Sequence, residues 1–332
     1  MRDKRILSGM RPTGRLHIGH LEGVLESWLK CQNDGKAFFF VADLHAITDG
    51  LRDNISSMTI EMVRDWIAAG IDPERAVLFL QSRVKAHTEM ACLLGMMTPV
   101  PWLLRVPSYK DYVEKLSGED KASFGFMGYP VLQAADILLY DADLVPVGDD
   151  QLAHLEFTRE LVRRVNNLIG VVFKEPEPLL TKASRIPGLD GRKMSKSYNN
   201  TIELTDSGKV LDIKIMTMLT DPARKRKLDA GNPEICPVFE YQKIYNQDLK
   251  EKIVESCTEA KWGCTDCKRV LLDKISTRLI HIQNRRKELD CDDKTIISIL
   301  REGSFKAGKI ADEKLETVRD RIGFLKIKFG DI

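Results

Sequence analysis

Pro12-Thr-Gly-Arg-Leu-His-Ile-Gly-His20 stands between a short apolar strand, Arg5 to Ser8, and a helix beginning near Leu21. In open, doubly wound parallel sheets this junction binds phosphate, because the start of the helix offers unpaired N–H groups and partial positive charge. Gly14 and Gly19 let the backbone and a nucleotide approach closely. His17 and His20 are three residues apart and so face one ligand from the same helical start. The spacing matches neither the P-loop nor GxGxxG, so the phosphate-holding device is a different one.

Working outward, the first half alternates buried strands with amphipathic helices. Ala37 to Ala42 is a nearly continuous apolar run, expected of a strand covered on both faces. Ser57 to Ala69 carries Ile60, Val63 and Ile67 at helical spacing and meets a stop at Gly70. Strands are expected at Ala76 to Leu80 and Leu144 to Val147, and helices at His87 to Met97, Pro130 to Tyr140 and Gln151 to Asn166. This order predicts an α/β fold with a doubly wound, Rossmann-like parallel sheet over residues 1–198. Past a glycine-rich, basic segment at Lys182 to Tyr198 the strands give way to charged helices, so residues 199–332 form an all-α unit. Its expected helices are Asp212 to Leu219, Lys250 to Cys257, Lys268 to Lys287 and Asp293 to Arg301, followed by a terminal helix whose stripe Ala311, Leu315, Val318, Ile322 and Leu325 reads as a packing face.

The chain has 332 residues, 43% apolar and 30% charged, with a net charge of only +2. That is an ordinary globular composition, and any polyanionic partner must be met by a local patch rather than a global field. No apolar run approaches the ~20 residues of a bilayer span, and Met1-Arg-Asp-Lys-Arg leads into no signal-peptide core, which points to the cytosol. Structural disulfides are not expected there, so the seven cysteines call for another reading.

A second motif, Lys193-Met-Ser-Lys-Ser197, follows Gly191. Two lysines and two serines at this spacing suit a mobile clamp on a triphosphate; alone, such a loop is ordinary solvated surface. Together with His17-Ile-Gly-His20, in this order and context, the pair resembles the HIGH and KMSKS signatures of the class I aminoacyl-tRNA synthetases.

The resemblance implies attack by an amino-acid carboxylate on the α-phosphate of ATP, with Mg²⁺ and loss of pyrophosphate. It assigns His17 and His20 to ATP and its reacting phosphate, and Lys193 and Lys196 to the pyrophosphate. Arg11, Pro12, Thr13 and Gly19 then line the nucleotide, Gly148-Asp-Asp150 the ribose, and Ile186 the adenine, with Met194, Ser195 and Ser197 completing the second motif. Lys110 is a further phosphate candidate.

Asp136 lies in Val131-Leu-Gln-Ala-Ala-Asp-Ile-Leu-Leu-Tyr140, a helix otherwise apolar enough to be buried. A lone buried carboxylate is costly unless paired, so a structural partner competes with a ligand as its explanation. The stretch from Tyr129 resembles the specificity helix of the tryptophan enzymes of the class, in which the aspartate accepts the indole N–H. By the same resemblance Tyr129 and Gln151 hold the substrate ammonium, and Leu7, His45 and Gln133 line the pocket. The tyrosine enzymes are the nearest alternative, but they place a tyrosine where this chain has Leu7. A non-catalytic RNA-binding relative and a nucleotidyltransferase are further alternatives.

The resemblance further implies a homodimer whose helical unit reads the anticodon of tRNA(Trp). Arg224 to Lys227 is a basic run that suits an RNA backbone or simple solvation, and Trp262 suits base stacking or core packing. Cys236, Cys257, Cys264 and Cys267 supply four thiolates with one close pair. They are enough for a 4Fe–4S cluster, which some tryptophan enzymes carry, or for Zn²⁺; free thiols are the third reading. Cys31, Cys92 and Cys291 stand outside this group.

Overall fold

The computed structural model describes residues 3–12, 14–48, 50–51, 53–107, 109, 123–148, 151–180, 186–289 and 293–326. Five parallel strands form one sheet in the order β3-β2-β1-β4-β5: β1 is Arg5–Met10, β2 Lys36–Val41, β3 Ala76–Leu80, β4 Leu144–Val147 and β5 Glu177–Leu180. Leu7 pairs with Phe38 and Phe38 with Val77, while Ile6 pairs with Leu144 on the other side. The strand order reverses between β1 and β4, so a crevice opens beyond their carboxyl ends, where Pro12 and Gly148 begin their loops.

Side chains alternate across the sheet and split the core in two. Ile6, Phe39 and Leu78 point to one face, where they meet α1 (Glu26–Asp34) and α2 (Ile55–Ala69). There Trp28 stacks on Phe39 at 4.3 Å and meets Trp66 edge-on at 4.9 Å. Leu7, Phe38, Phe40 and Phe79 point to the opposite face, against α3 (Ala86–Met97), α5 (Phe124–Leu139) and α6 (Leu152–Ile169); α4 is the short Val100–Leu104. The later helices are α7 (Gly208–Met216), α8 (Pro237–Tyr245), α9 (Lys250–Thr258), α10 (Cys264–Leu289) and α11 (Asp293–Ile322). Leu271, Ile275 and Ile282 of α10 join the core of the first face, so the helical part and the sheet share apolar contacts.

The expected strands at Ala76–Leu80 and Leu144–Val147 have those bounds, and α2 ends as anticipated at Gly70, in the left-handed region at φ 117°. Three differences have physical causes. Strand β5 reads Glu-Pro-Leu-Leu, is largely exposed at the sheet edge, and so lacks the apolar pattern that marks a buried strand. Helix α5 starts at Phe124, where Ser123 accepts the Phe126 N–H at 3.1 Å, and it runs straight through Pro130. The two helices expected after Asp293 are one element of 30 residues. Ala311, Leu315 and Val318 are buried as foreseen, whereas Leu325 lies past the helix and is exposed.

Helix α11 covers the edge at β3. A Cβ on Gly303 would stand 1.8 Å from the Leu78 carbonyl oxygen, so only glycine permits this approach. Beside it, Ser304 Oγ accepts the Leu80 N–H at 3.2 Å and satisfies part of an otherwise open strand edge. No helix among the described residues is long and apolar enough to cross a membrane.

Candidate active site

The segment after β1 turns at Gly14, whose φ of +92° suits glycine. Leu16 to Ile18 then pairs with the chain that leaves the second motif: Ile18 N–H donates to Ile202 O at 2.9 Å and Leu204 N–H to Leu16 O at 3.0 Å. The His17 N–H donates to His20 Nδ1 at 3.3 Å, and the two rings lie 3.8 Å apart. A Cβ on Gly19 would sit 2.9 Å from the His17 ring, so this glycine leaves room for the close, tilted approach of the two rings. Burial, and then the charge of Lys196, lowers the His17 imidazole to about 4. Burial, His17 and Lys196 likewise hold His20 well below the usual histidine range. Both rings are therefore neutral at pH 7 and act as hydrogen-bonding groups rather than cations.

Lys196 reaches this point from the second motif. Its Nζ comes within 3.4 Å of where a Gly14 Cβ would be. Burial lowers its ammonium, while Glu203 and Asp65 pull in the other direction. Lys193 faces solvent instead, and Met194 is buried under Gly19, its sulfur 3.5 Å from that glycine's Cβ position. The loop is a stapled turn, in which Asn200 takes the Ser195 N–H at 2.8 Å and donates to Asp190 at 2.7 Å. Ser195 and Ser197 bond to each other at 2.8 Å. Hydrogen bonds from Asn200, then Arg192, hold the Asp190 carboxyl at about 2. Ile186 is buried in the core of the first face, Pro12 is buried, and Arg11 is exposed at the crevice mouth. Gly148 follows β4, and its carbonyl accepts the Gln151 N–H at 3.0 Å. Thr13, Lys110, Asp149, Asp150 and Cys291 lie outside the described residues.

Across the sheet, Asp136 is sealed on α5. Its Oδ1 takes Gln81 Nε2 at 2.8 Å and His87 Nδ1 at 2.5 Å, and its Oδ2 takes Gln81 Nε2 at 2.9 Å and His45 Nε2 at 2.9 Å. Beyond it, His87 Nε2 meets the Tyr140 hydroxyl at 2.8 Å. Burial pushes the Asp136 carboxyl up, but the His45 hydrogen bond and the charge and hydrogen bond of His87 outweigh it and hold it below the usual aspartate range. Leu7 lies in the same apolar cluster as Val131 and Ala134 of α5. Tyr129 meets His45 edge-on at 6.3 Å and bonds His154 through its hydroxyl at 3.0 Å. Gln133 and Gln151 are half-buried. Tyr129, Gln133, Asp136 and Tyr140 share one face of α5, as their spacing requires.

Sequence reasoning missed Gln81, His87 and His154. A signal existed for the first, because Gln81 follows β3 at its carboxyl end, as Pro12 follows β1 and Gly148 follows β4. His87 and His154 sit at ordinary helix positions and carry no such mark.

Cys236, Cys257, Cys264 and Cys267 line one cavity of about 30 Å³ with Thr220, Arg224, Val238, Ile253 and Trp262. Among the described residues no group of three or more His, Cys, Asp or Glu side chains is arranged to hold a metal ion. Yet the lining brings four thiols together and holds no His, Asp or Glu, which suits a soft metal or cluster. A Cβ on Gly231 would stand 2.6 Å from Cys257 Sγ, so the glycine clears room beside a sulfur. Gln242 Nε2 lies 3.2 Å from Cys267 Sγ and Arg224 Nη1 3.7 Å from Cys257 Sγ. Arg224 also donates to the Trp262 and Lys227 carbonyls, so it faces inward rather than toward an RNA backbone. Trp262 lines the cavity with Lys252 over its ring at 5.7 Å, a packing role.

Residues 1–279 match the family described as tRNA synthetases class I (W and Y). The tryptophan–tRNA ligase of Thermotoga maritima is 48% identical over 95% of this chain and 98% of its own length, and that of Aquifex aeolicus is 41% identical over 95% and 98%. The tryptophanyl-tRNA synthetase of Campylobacter jejuni, solved with ADP and tryptophan, superposes with a TM-score of 0.84 at 34% identity, covering 96% of this chain and all of that one. The tyrosine alternative falls against these near full-length likenesses, and the chain belongs to the tryptophanyl-tRNA synthetases of class I.

Proposed function

We propose that this tryptophan–tRNA ligase binds ATP in the crevice between β1 and β4 and tryptophan against Asp136, with tRNA(Trp) as the final acceptor. The observation that carries the reading is the meeting of His17, His20 and Lys196 at the point where the strand order reverses. A tryptophan carboxylate oxygen attacks the α-phosphorus, the bond to the β-phosphate oxygen breaks, and pyrophosphate leaves. Neutral His17 and His20 donate hydrogen bonds to phosphate oxygens, while Lys196, with Lys193 and Mg²⁺, offsets the charge growing on the pyrophosphate. Arg11, Pro12, Thr13, Gly19, Gly148, Asp149, Asp150, Ile186, Met194, Ser195 and Ser197 complete the nucleotide site.

Asp136 serves as acceptor for the indole N–H, with Leu7, Gln133, Tyr129 and Gln151 around the rest of the substrate. Its oxygens already meet four donor contacts, about their full capacity. The indole therefore takes the place of His45 on Oδ2, since the His45 side chain is 12% exposed, against 0% for His87.

The four cysteines are assigned to a 4Fe–4S cluster, supported by their gathering around one cavity and the space Gly231 leaves. When bound, such a cluster cross-links the segments that carry its ligands. Residues 1–198 form the catalytic unit and residues 199–332 the anticodon-binding unit of a cytosolic homodimer, with α11 returning to brace β3. Pyrophosphate exchange into ATP, run separately with tryptophan, tyrosine and phenylalanine, tests the reading. Rapid exchange is expected with tryptophan alone, and equal exchange with tyrosine would refute the pocket assignment.

A further inference from the structure

Helix α10 spans 26 residues, roughly 39 Å at 1.5 Å per residue. Cys264 and Cys267 stand in its first turn. Near its other end Gln283 and Arg286 lie three residues apart and share a face. Gln283 Nε2 donates to the carbonyls of Leu204 at 3.0 Å and Asp206 at 2.9 Å, in the segment leaving the second motif. Arg286 pairs with Asp65 and Glu61 of α2. The other oxygen of Asp65 accepts the Leu16 N–H at 3.0 Å, one residue before His17. The two segments held in this way are the pair that hydrogen-bonds through Leu16, Ile18, Ile202 and Leu204.

We infer that Gln283 and Arg286 are positioning residues for adenylate formation, setting the separation of the His17–His20 rings from Lys196. Neither touches a substrate. Gln283 acts through Leu204, and Arg286 through Asp65 and Leu16. Asp65 is 0% and Arg286 6% exposed. Burying two charges for packing alone is poor economy, because an apolar pair fills the same space at lower desolvation cost. Directional bonds to a backbone instead fix its place. The inference rests on the reading of the two signature segments as the phosphate-binding groups.

The test is tryptophan-dependent pyrophosphate exchange with Gln283→Leu, Arg286→Met, Asp65→Asn, the Asp65→Asn/Arg286→Met double variant and, alongside, Lys196→Ala. Rates are taken per active site, counted by the burst of adenylate formed, so a smaller folded fraction does not pass for slower chemistry. Gln283→Leu and Arg286→Met are each expected to lower kcat roughly ten-fold, because small misplacements of reacting groups are costly. The KM for tryptophan should stay within about two-fold of wild type. The double variant should lose no more than its worse single member, since Asp65 and Arg286 act along one line of contacts. Wild-type kcat in Gln283→Leu or Arg286→Met, or a loss confined to the KM for tryptophan, overturns the inference. Gln283 is only half-buried, so its variant alone decides if the Arg286 variants do not fold. Should Lys196→Ala also exchange at the wild-type rate, the reading of the second signature fails with it; a slow Lys196→Ala beside fast helix variants sinks the positioning role alone.

Discussion

Asp136 and Asp65 are both buried carboxylates on helices that pack against the sheet, one on each face. Their surroundings differ in kind. Asp136 is held by two imidazoles and an amide, none of them a permanent charge, and one of the imidazoles, His45, is partly exposed. Asp65 is held by a guanidinium, which is always charged, and by one backbone N–H. The first arrangement leaves a partner that a ligand can replace. The second leaves none, and it ties together parts of the chain 221 residues apart. A buried carboxylate marks a binding site when its partners are exchangeable, and an anchor when they are not.

The contrast is broken most sharply by removing each carboxylate. Asp65→Ala leaves the buried Arg286 paired with Glu61 but takes away its fully buried carboxylate and the acceptor of the Leu16 N–H, a loss of up to about 3–5 kcal/mol. Denaturant unfolding should show that loss, while Asp136→Ala, whose partners include no permanent cation, should unfold closer to wild type. Equal destabilisation would erase the distinction.

Substrate selection should show the reverse ordering. Asp136→Ala is expected to lower kcat/KM for tryptophan by roughly ten- to a hundred-fold, the worth of a hydrogen bond to a charged acceptor. Discrimination against other aromatic amino acids should fall with it. A folded Asp136→Ala protein with wild-type kcat/KM would make Asp136 structural.

The smallest effect lies in the pH dependence of stability. Burial pushes the Asp65 carboxyl up to about 6, in spite of Arg286 and the Leu16 N–H, from a model-peptide value of 3.8. The charged groups facing it are Arg286 on α10, Glu61 on α2, itself paired with Arg64, and Lys196 from the second motif. Between these two values the folded state binds the proton more tightly than the unfolded chain, so the contribution of Asp65 falls as pH rises through that window. Asp136, held low, contributes in the opposite sense and loses its share only as pH falls below the ordinary aspartate range. Comparing wild type with Asp65→Asn, the stability difference should move in favour of the variant by ~1–3 kcal/mol between about pH 4 and pH 6. A flat difference would place the Asp65 carboxyl near its unperturbed value.

Much of this molecule is legible along the chain. The strands at Lys36–Val41, Ala76–Leu80 and Leu144–Val147 are apolar runs because both their faces are covered, and two short motifs in the right order mark the segments that meet where the strand order reverses. Strand β5 is not legible, because an exposed edge strand with a proline carries no apolar pattern. Gly303 carries no mark along the chain, because what requires glycine there is the passage of β3 within contact of it.

The sequence by itself determined the alternation of the first four strands with helices, the two signature motifs, the carboxylate on an apolar helix and the four cysteines of the helical half. These are local matters of periodicity, turn chemistry and residue type. Only the tertiary structure decided which partners hold each carboxylate, that the exposed Lys193 and the half-buried Lys196 differ, and that Arg224 turns inward to the cysteines. The physical reason is range. Burial and pairing of charges depend on groups brought together from distant elements, and spacing along a chain does not encode which of many equally polar residues the packed core will place beside one another.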